Sequence, residues 1–177
     1  MRALSALGVV EVRHGGGAYV SALDASHLLG PLNFFLTLSE VSVEKLYDAR
    51  RLIEGEICAL AAKRVTKADL EHLEALTAQQ EELTVYAEEY LKLDSQFHER
   101  LGEISDNPFL ARAQQSLNIL GIEFRLQVAR TKDTPRRSIA DHRSILSALK
   151  DRDPEKARSA MIAHMNRVYS STITSAD

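Results

Sequence analysis

Residues 85–105 read VYAEEYLKLDSQFHERLGEIS, and their periodicity decides the fold. Tyr90, Phe97, Leu101 and Ile104 recur at three- and four-residue spacing, which places them on one face of an α-helix. Asp94 falls on that apolar stripe, four residues after Tyr90 and three before Phe97. His98 follows Asp94 by one helical turn, so both side chains rise from one face. Such a helix needs a core to bury its stripe and partners for the acid and the imidazole it carries inward.

Outward from this segment the helical period continues. The spacing predicts further helices near 23–38, 43–64, 67–83, 108–131, 136–150 and 154–171. Asn107-Pro108, Thr134-Pro135 and Asp153-Pro154 each read as an N-cap followed by a first helical residue that needs no N–H. Thr66-x-x-Asp69 is a weaker capping signature. The front end differs. Four of the eight glycines, Gly8, Gly15, Gly16 and Gly17, fall in the first 17 residues. Residues 8–21, GVVEVRHGGGAYVS, read as strands Val9–Arg13 and Ala18–Ser21 joined by a glycine-rich turn. Gly8 closes a short stretch of helical character before them. A two-stranded ribbon alone is marginal in water. Either it docks on the bundle, or it belongs to a domain whose earlier part precedes Met1, and the second reading is preferred. The expected architecture is all-α: an antiparallel bundle of six or seven helices preceded by a small β-hairpin.

Composition sets the outer bounds. The chain has 177 residues, 45% hydrophobic and 27% charged, which suits a soluble globular domain with a real core. No apolar run approaches the ~18 residues of a membrane span, and the N-terminus lacks the pattern of a signal peptide. One cysteine, Cys58, excludes an intrachain disulfide and fits a cytoplasmic protein. With 22 basic and 25 acidic residues the net charge is −3, so any contact with nucleic acid must be local.

Polar interruptions of the stripes carry the chemistry. His142 lies on a stripe of Ile139, Ile145, Leu146 and Leu149. His164 sits between Met161 and Val168 on the last helix. Arg50 occupies the slot between Leu46 and Ile53 on a stripe that continues through Ile57 and Leu60. Buried polar groups are satisfied most cheaply by meeting one another. One aspartate and three histidines, Asp94, His98, His142 and His164, make an N₃O set suited to a divalent transition metal, with zinc, nickel and manganese as candidates. Ligands on facing helices of a bundle are a known way to build such a site. The plainer readings are an Asp94–His98 pair along one helix, an Arg50–Glu54 pair along another, and histidines that are merely packed. His72 reads as exposed, His27 as part of a connector, His14 as part of the ribbon turn, and Cys58 as core packing. A metal-activated water could support a hydrolase or lyase. However, no general base, nucleophile elbow or phosphate-cradling loop accompanies the cluster. A purely structural helical interaction module is the third alternative.

LSALGVVEVRHGGGAYV (4–20) resembles the end of a winged helix-turn-helix in GntR-type bacterial transcription regulators. The matching features are Leu7-Gly8-Val9-Val10 and the wing text Gly15-Gly16-Gly17-Ala18-Tyr19-Val20. YDARRLIEGEICALAAKR (47–64), LDSQFHERLGEISDNPFL (93–110) and DHRSILSALKDRDPEKARSAMIAHM (141–165) resemble the all-helical FCD ligand-binding domain of the FadR subgroup. The resemblance implies domains at 1–21, a remnant of the DNA-reading domain, and at 22–177, an effector-binding and dimerisation domain. It implies that Asp94, His98, His142 and His164 bind a metal, zinc first and nickel or manganese otherwise. The Arg of the family's A-R-x-x-x-E segment maps onto Arg50, which is expected to meet a small organic acid effector, with Asn118 and Arg125 on the 108–131 helix as further cavity liners. Arg2 and Arg13 remain as contacts to operator DNA. Met1 would fall inside the recognition helix, so this chain alone is expected to bind DNA weakly or not at all. The expected state is a homodimer, with no enzyme activity and no membrane contact.

Overall fold

The computed structural model describes residues 10–13, 16–20, 43–130 and 134–174. The chain divides into two compact units, Met1–Val41 and Ser42–Asp177. In the first, strands β1 (Val10–Arg13) and β2 (Gly17–Val20) form an antiparallel hairpin. Its register pairs Val10 with Val20, Glu11 with Tyr19, Val12 with Ala18 and Arg13 with Gly17. Gly17 has φ +90°, a conformation that side chains with a Cβ rarely adopt, and this explains a glycine at the exit of the turn. The helix expected near 23–38 and Arg2 lie outside the described residues.

The second unit is helical, as the periodicity predicts. Among the described residues it comprises α1 (Val43–Arg64), α2 (Lys67–Glu82), α3 (Ala87–Ile104), α4 (Pro108–Leu120), α5 (Ile122–Ala129), α6 (Thr134–Lys150) and α7 (Pro154–Thr174). Three boundaries follow from capping. Thr66 and Asp69 form a reciprocal capping box at the start of α2. Asn107 Oδ1 accepts from the backbone N–H of Phe109 and Leu110, both at 3.2 Å, at the start of α4. Asp153 Oδ1 accepts from Lys156 N at 3.0 Å at the start of α7.

One helix expected from the sequence, 108–131, is in fact two. It breaks at Gly121, which ends α4 by donating to Leu117 O at 3.1 Å and starts α5 by accepting from Arg125 N at 3.0 Å. A Cβ on Gly121 would lie 3.4 Å from Leu46 Cδ2, so Leu46 of α1 packs at van der Waals distance on the joint. The apolar period runs through the break, which is why spacing alone did not reveal it.

The most extensive helix pair is α1 with α7, followed by α6 with α7. Ala59, Ala61 and Ala62 on α1 are buried, and a Cβ on Gly55 would lie 3.2 Å from Ile162 Cγ1. Gly55 thus lets these two helices pack closely. The main core joins Ile57, Cys58, Leu73, Phe97, Leu101, Ile145, Leu149, Met161 and Met165, drawn from α1, α2, α3, α6 and α7. A smaller cluster of Tyr90, Leu91, Ala129 and Ile139 closes the other end of α3. No helix among the described residues is long and apolar enough to cross a membrane.

Candidate metal centre

Asp94 and His98 rise from α3, His142 from α6 and His164 from α7, and all four are buried. Each offers one ligand atom, and these atoms lie within 4.8 Å of one another. The imidazole centroids are 4.9–5.5 Å apart. Phe97 stacks on His142 at 4.1 Å with the planes 9° apart, so the core itself fixes that ring. The stripe positions that broke the apolar pattern on three helices therefore converge on one point.

The second nitrogen of each imidazole explains its orientation. His142 Nδ1 donates to Gln80 Oε1 at 2.9 Å, which leaves Nε2 without a hydrogen-bond partner, 3.5 Å from Asp94 Oδ1. His164 Nδ1 donates to Asp141 Oδ2 at 3.3 Å, and Arg167 holds that carboxylate from outside through Nε at 2.8 Å. His98 Nδ1 lies close against Glu54 Oε2 without being aligned as a hydrogen bond, and Nε2 has no hydrogen-bond partner. An imidazole held through Nδ1 presents the lone pair of Nε2, the arrangement that metal-binding histidines use.

Charge follows the same plan. Burial pushes the Asp94 carboxyl up, but Arg125 and then the three imidazoles outweigh it and hold it at about 2. Arg125 Nη2 donates to Asp94 Oδ2 and to Ser95 Oγ, both at 3.0 Å, and Nη1 donates to Asn118 Oδ1 at 3.3 Å. Burial, reinforced by the neighbouring His164, pushes His142 well below the ordinary imidazole value. Burial also lowers His164, against the opposing pull of Asp141. Asp94 is thus ionised, and His142 and His164 are neutral near neutral pH, the protonation state that ligation requires.

The residues present fit a divalent metal. Donors ~2.1 Å from a shared ion lie about 3.4 Å apart in a tetrahedral site and at most about 4.2 Å apart when opposite, so the set, within 4.8 Å, must draw in by about an ångström to bind. Two buried nitrogens, His98 Nε2 and His142 Nε2, lack a hydrogen-bond partner.

The residues expected around this cluster divide. Asn118 and Arg125 are buried beside it, on α4 and α5 respectively, rather than on one helix. Arg125 also lines a cavity of about 30 Å³ with Tyr90, Asp94, Ala129, Ser138 and Val168. Arg50 is 1% exposed, and its Nε and Nη2 donate to Glu54 Oε1 at 2.9 and 2.7 Å. The pairing along α1 thus engages the guanidinium expected to meet an effector. Arg13 closes β1. His72 is exposed and Cys58 is core, as the stripes indicate. Sequence reasoning missed Gln80 and Asp141. Gln80 had a signal, because it continues the Leu73–Leu76 stripe of α2. Asp141 is adjacent to His142 and off the stripe, so spacing did not mark it.

The helical unit and its buried Asp/His cluster define a class of protein. Residues 45–167 match the FCD domain model, and the chain belongs to that family, within the GntR-type transcriptional regulators. It is 27% identical over 173 residues to the HTH-type transcriptional regulator LutR of Bacillus subtilis (strain 168), covering 95% of this chain and 79% of LutR. It is 29% identical over 166 residues to the Uxu operon regulator of Haemophilus influenzae, covering 90% of this chain and 60% of that regulator. The solved structure of Streptococcus agalactiae GntR superimposes with a TM-score of 0.69 at 29% identity, covering 96% of this chain and 78% of that one. The proteins it matches are transcriptional regulators rather than enzymes, which sets aside the hydrolase or lyase alternative.

Proposed function

We propose that this chain is the effector-sensing part of a bacterial GntR-type regulator, in which a small organic acid binds at a metal held by Asp94, His98, His142 and His164. The observation that carries this reading is the convergence of four buried ligand atoms from three helices within 4.8 Å. A bound divalent metal, zinc first among the candidates, supplies a Lewis-acid anchor for a carboxylate. Arg125 offers a guanidinium beside that anchor, and Asn118 orients it.

A cavity of about 30 Å³ holds roughly two waters. An organic acid therefore enters by widening it, and α3, α5, α6 and α7 all contribute to its wall. An effector that prefers the widened state shifts the population of the bundle toward it. In the proposed regulator, residues 1–21 are the end of a winged-helix reading domain and residues 22–177 are the effector-binding and dimerisation domain. Arg2 and Arg13 contact operator phosphates, and a homodimer reads a two-fold operator.

Elemental analysis of protein purified without chelator or a metal-affinity column tests the site. About one transition metal per chain is expected, lost in His142→Ala/His164→Ala. Unchanged metal content in that variant refutes the assignment. A thermal-shift screen of small carboxylates on the loaded protein then tests the effector class.

A further inference from the structure

Two of the three imidazoles, His142 and His164, have an obvious outer acceptor in Gln80 and Asp141. The third is held differently. Glu54 is 1% exposed, and both its oxygens are engaged. Oε1 accepts two bonds from Arg50, while Oε2 faces His98 Nδ1 and accepts from Gln114 Nε2 at 3.4 Å. A fully buried carboxylate–guanidinium pair is a poor way to stabilise a fold, because well-packed apolar residues of similar volume do as well or better. Here the second oxygen of that buried pair rests on a candidate ligand, which gives the pair a use besides stability.

We infer that Glu54, charge-balanced by Arg50, is the positioning residue that holds His98 with Nε2 toward the metal, and that it sets the affinity of the site. This inference rests on the metal reading above. It gives Arg50 a role through Glu54 rather than through direct contact with an effector. It also links the site to α4, since Gln114 touches the same carboxylate. Gln114 in turn packs against Gly102 of α3, where a Cβ would lie 2.7 Å from Gln114 Oε1. Glycine at 102 thus leaves the space that Gln114 uses to reach Glu54.

The test compares the wild-type chain with Glu54→Gln, Glu54→Asp and Arg50→Met/Glu54→Met. The double variant removes both charges at similar volume, so no buried charge is stranded. Glu54→Asp keeps the charge but withdraws the carboxylate from His98 by one methylene, and it carries the test should the double variant not fold. Zinc affinity is read by competition with a chromogenic chelator, and site geometry by the visible absorption of the cobalt(II)-loaded protein. Folding of the metal-free variants is checked by circular dichroism. Zinc affinity is expected to fall about 10- to 100-fold in the double variant and in Glu54→Asp, with a shift of the cobalt bands. A folded variant that binds zinc within about threefold of wild type, with an unchanged cobalt spectrum, overturns the inference. His142→Ala is measured alongside. Wild type that binds no zinc overturns the metal reading and this inference together, whereas binding lost in His142→Ala but kept in the Glu54 variants overturns this inference alone.

Discussion

Replacing Asp94 by alanine in the metal-free protein is expected to destabilise the fold by about 3 kcal/mol, and the cost arises at Arg125. Asp94 is 6% exposed and Arg125 is 4% exposed, and their contact is 3.0 Å long. Burial raises the carboxyl, but Arg125 and the imidazoles bring it from 3.8 to about 2. At 1.36 kcal/mol per pKa unit, that difference caps the contribution at about 2.5 kcal/mol, and it is smaller near neutral pH, where His142 and His164 are neutral and Arg125 is the main opposing charge. Because the folded value is depressed, this contribution is present above the ordinary carboxylate value and is lost as pH falls through the folded one. Truncation removes it and strands a buried guanidinium, for which losses of about 3–5 kcal/mol are usual. Ser95 Oγ and Asn118 Oδ1 remain as neutral partners of Arg125 and keep the cost near the lower end. Urea unfolding followed by far-UV circular dichroism, with chelator present near neutral pH, measures it. A parallel melt should show a Tm lower by about 6–12 °C for a chain of this size. Asp94→Leu/Arg125→Leu should recover most of the loss, to within about 1 kcal/mol of wild type. A single-variant loss below about 1 kcal/mol, or losses that simply add in the double variant, would refute the coupling.

Two further outcomes are expected. Thr66→Ala should cost about 1 kcal/mol by removing the capping box of α2. Thr66 first, and Arg100 after it, hold the Asp69 carboxyl below its ordinary value. The stabilisation from Asp69 is therefore complete above the ordinary carboxylate value and disappears as pH falls through the folded one, and Thr66→Ala should flatten that acid limb in pH-dependent urea titrations. Burial, with Glu54 nearby, pushes the Cys58 thiol far above its ordinary value. The native protein should therefore resist iodoacetamide and react only when unfolded. Rapid alkylation under native conditions would place Cys58 outside the core.

Much of the fold was legible because local physics dictates it. The three-and-four spacing of Tyr90, Phe97, Leu101 and Ile104 marks one helix face whatever packs on it. Thr66, Asn107 and Asp153 mark helix starts because an N-terminal turn leaves backbone donors that only certain side chains satisfy. The candidate ligands were legible for the opposite reason. Asp94, His98, His142 and His164 each occupy positions where apolar residues belong, and burying a polar group without a partner is costly. The break at Gly121 was not legible, since the apolar period continues across it and the Leu46 side chain that packs there comes from another helix.

The outer partners divide along the same line. Arg50 with Glu54 is a pairing along one helix, so its geometry follows from a spacing of four residues. That Glu54 also meets His98 and Gln114, that Gln80 of α2 holds His142, that Asp141 of α6 holds His164 and that Arg125 of α5 holds Asp94 follows only from how the helices pack. Periodicity says which side chains turn inward along one helix. Which inward side chains meet depends on the rotation and register of each helix against its neighbours, and those are set by the whole core at once.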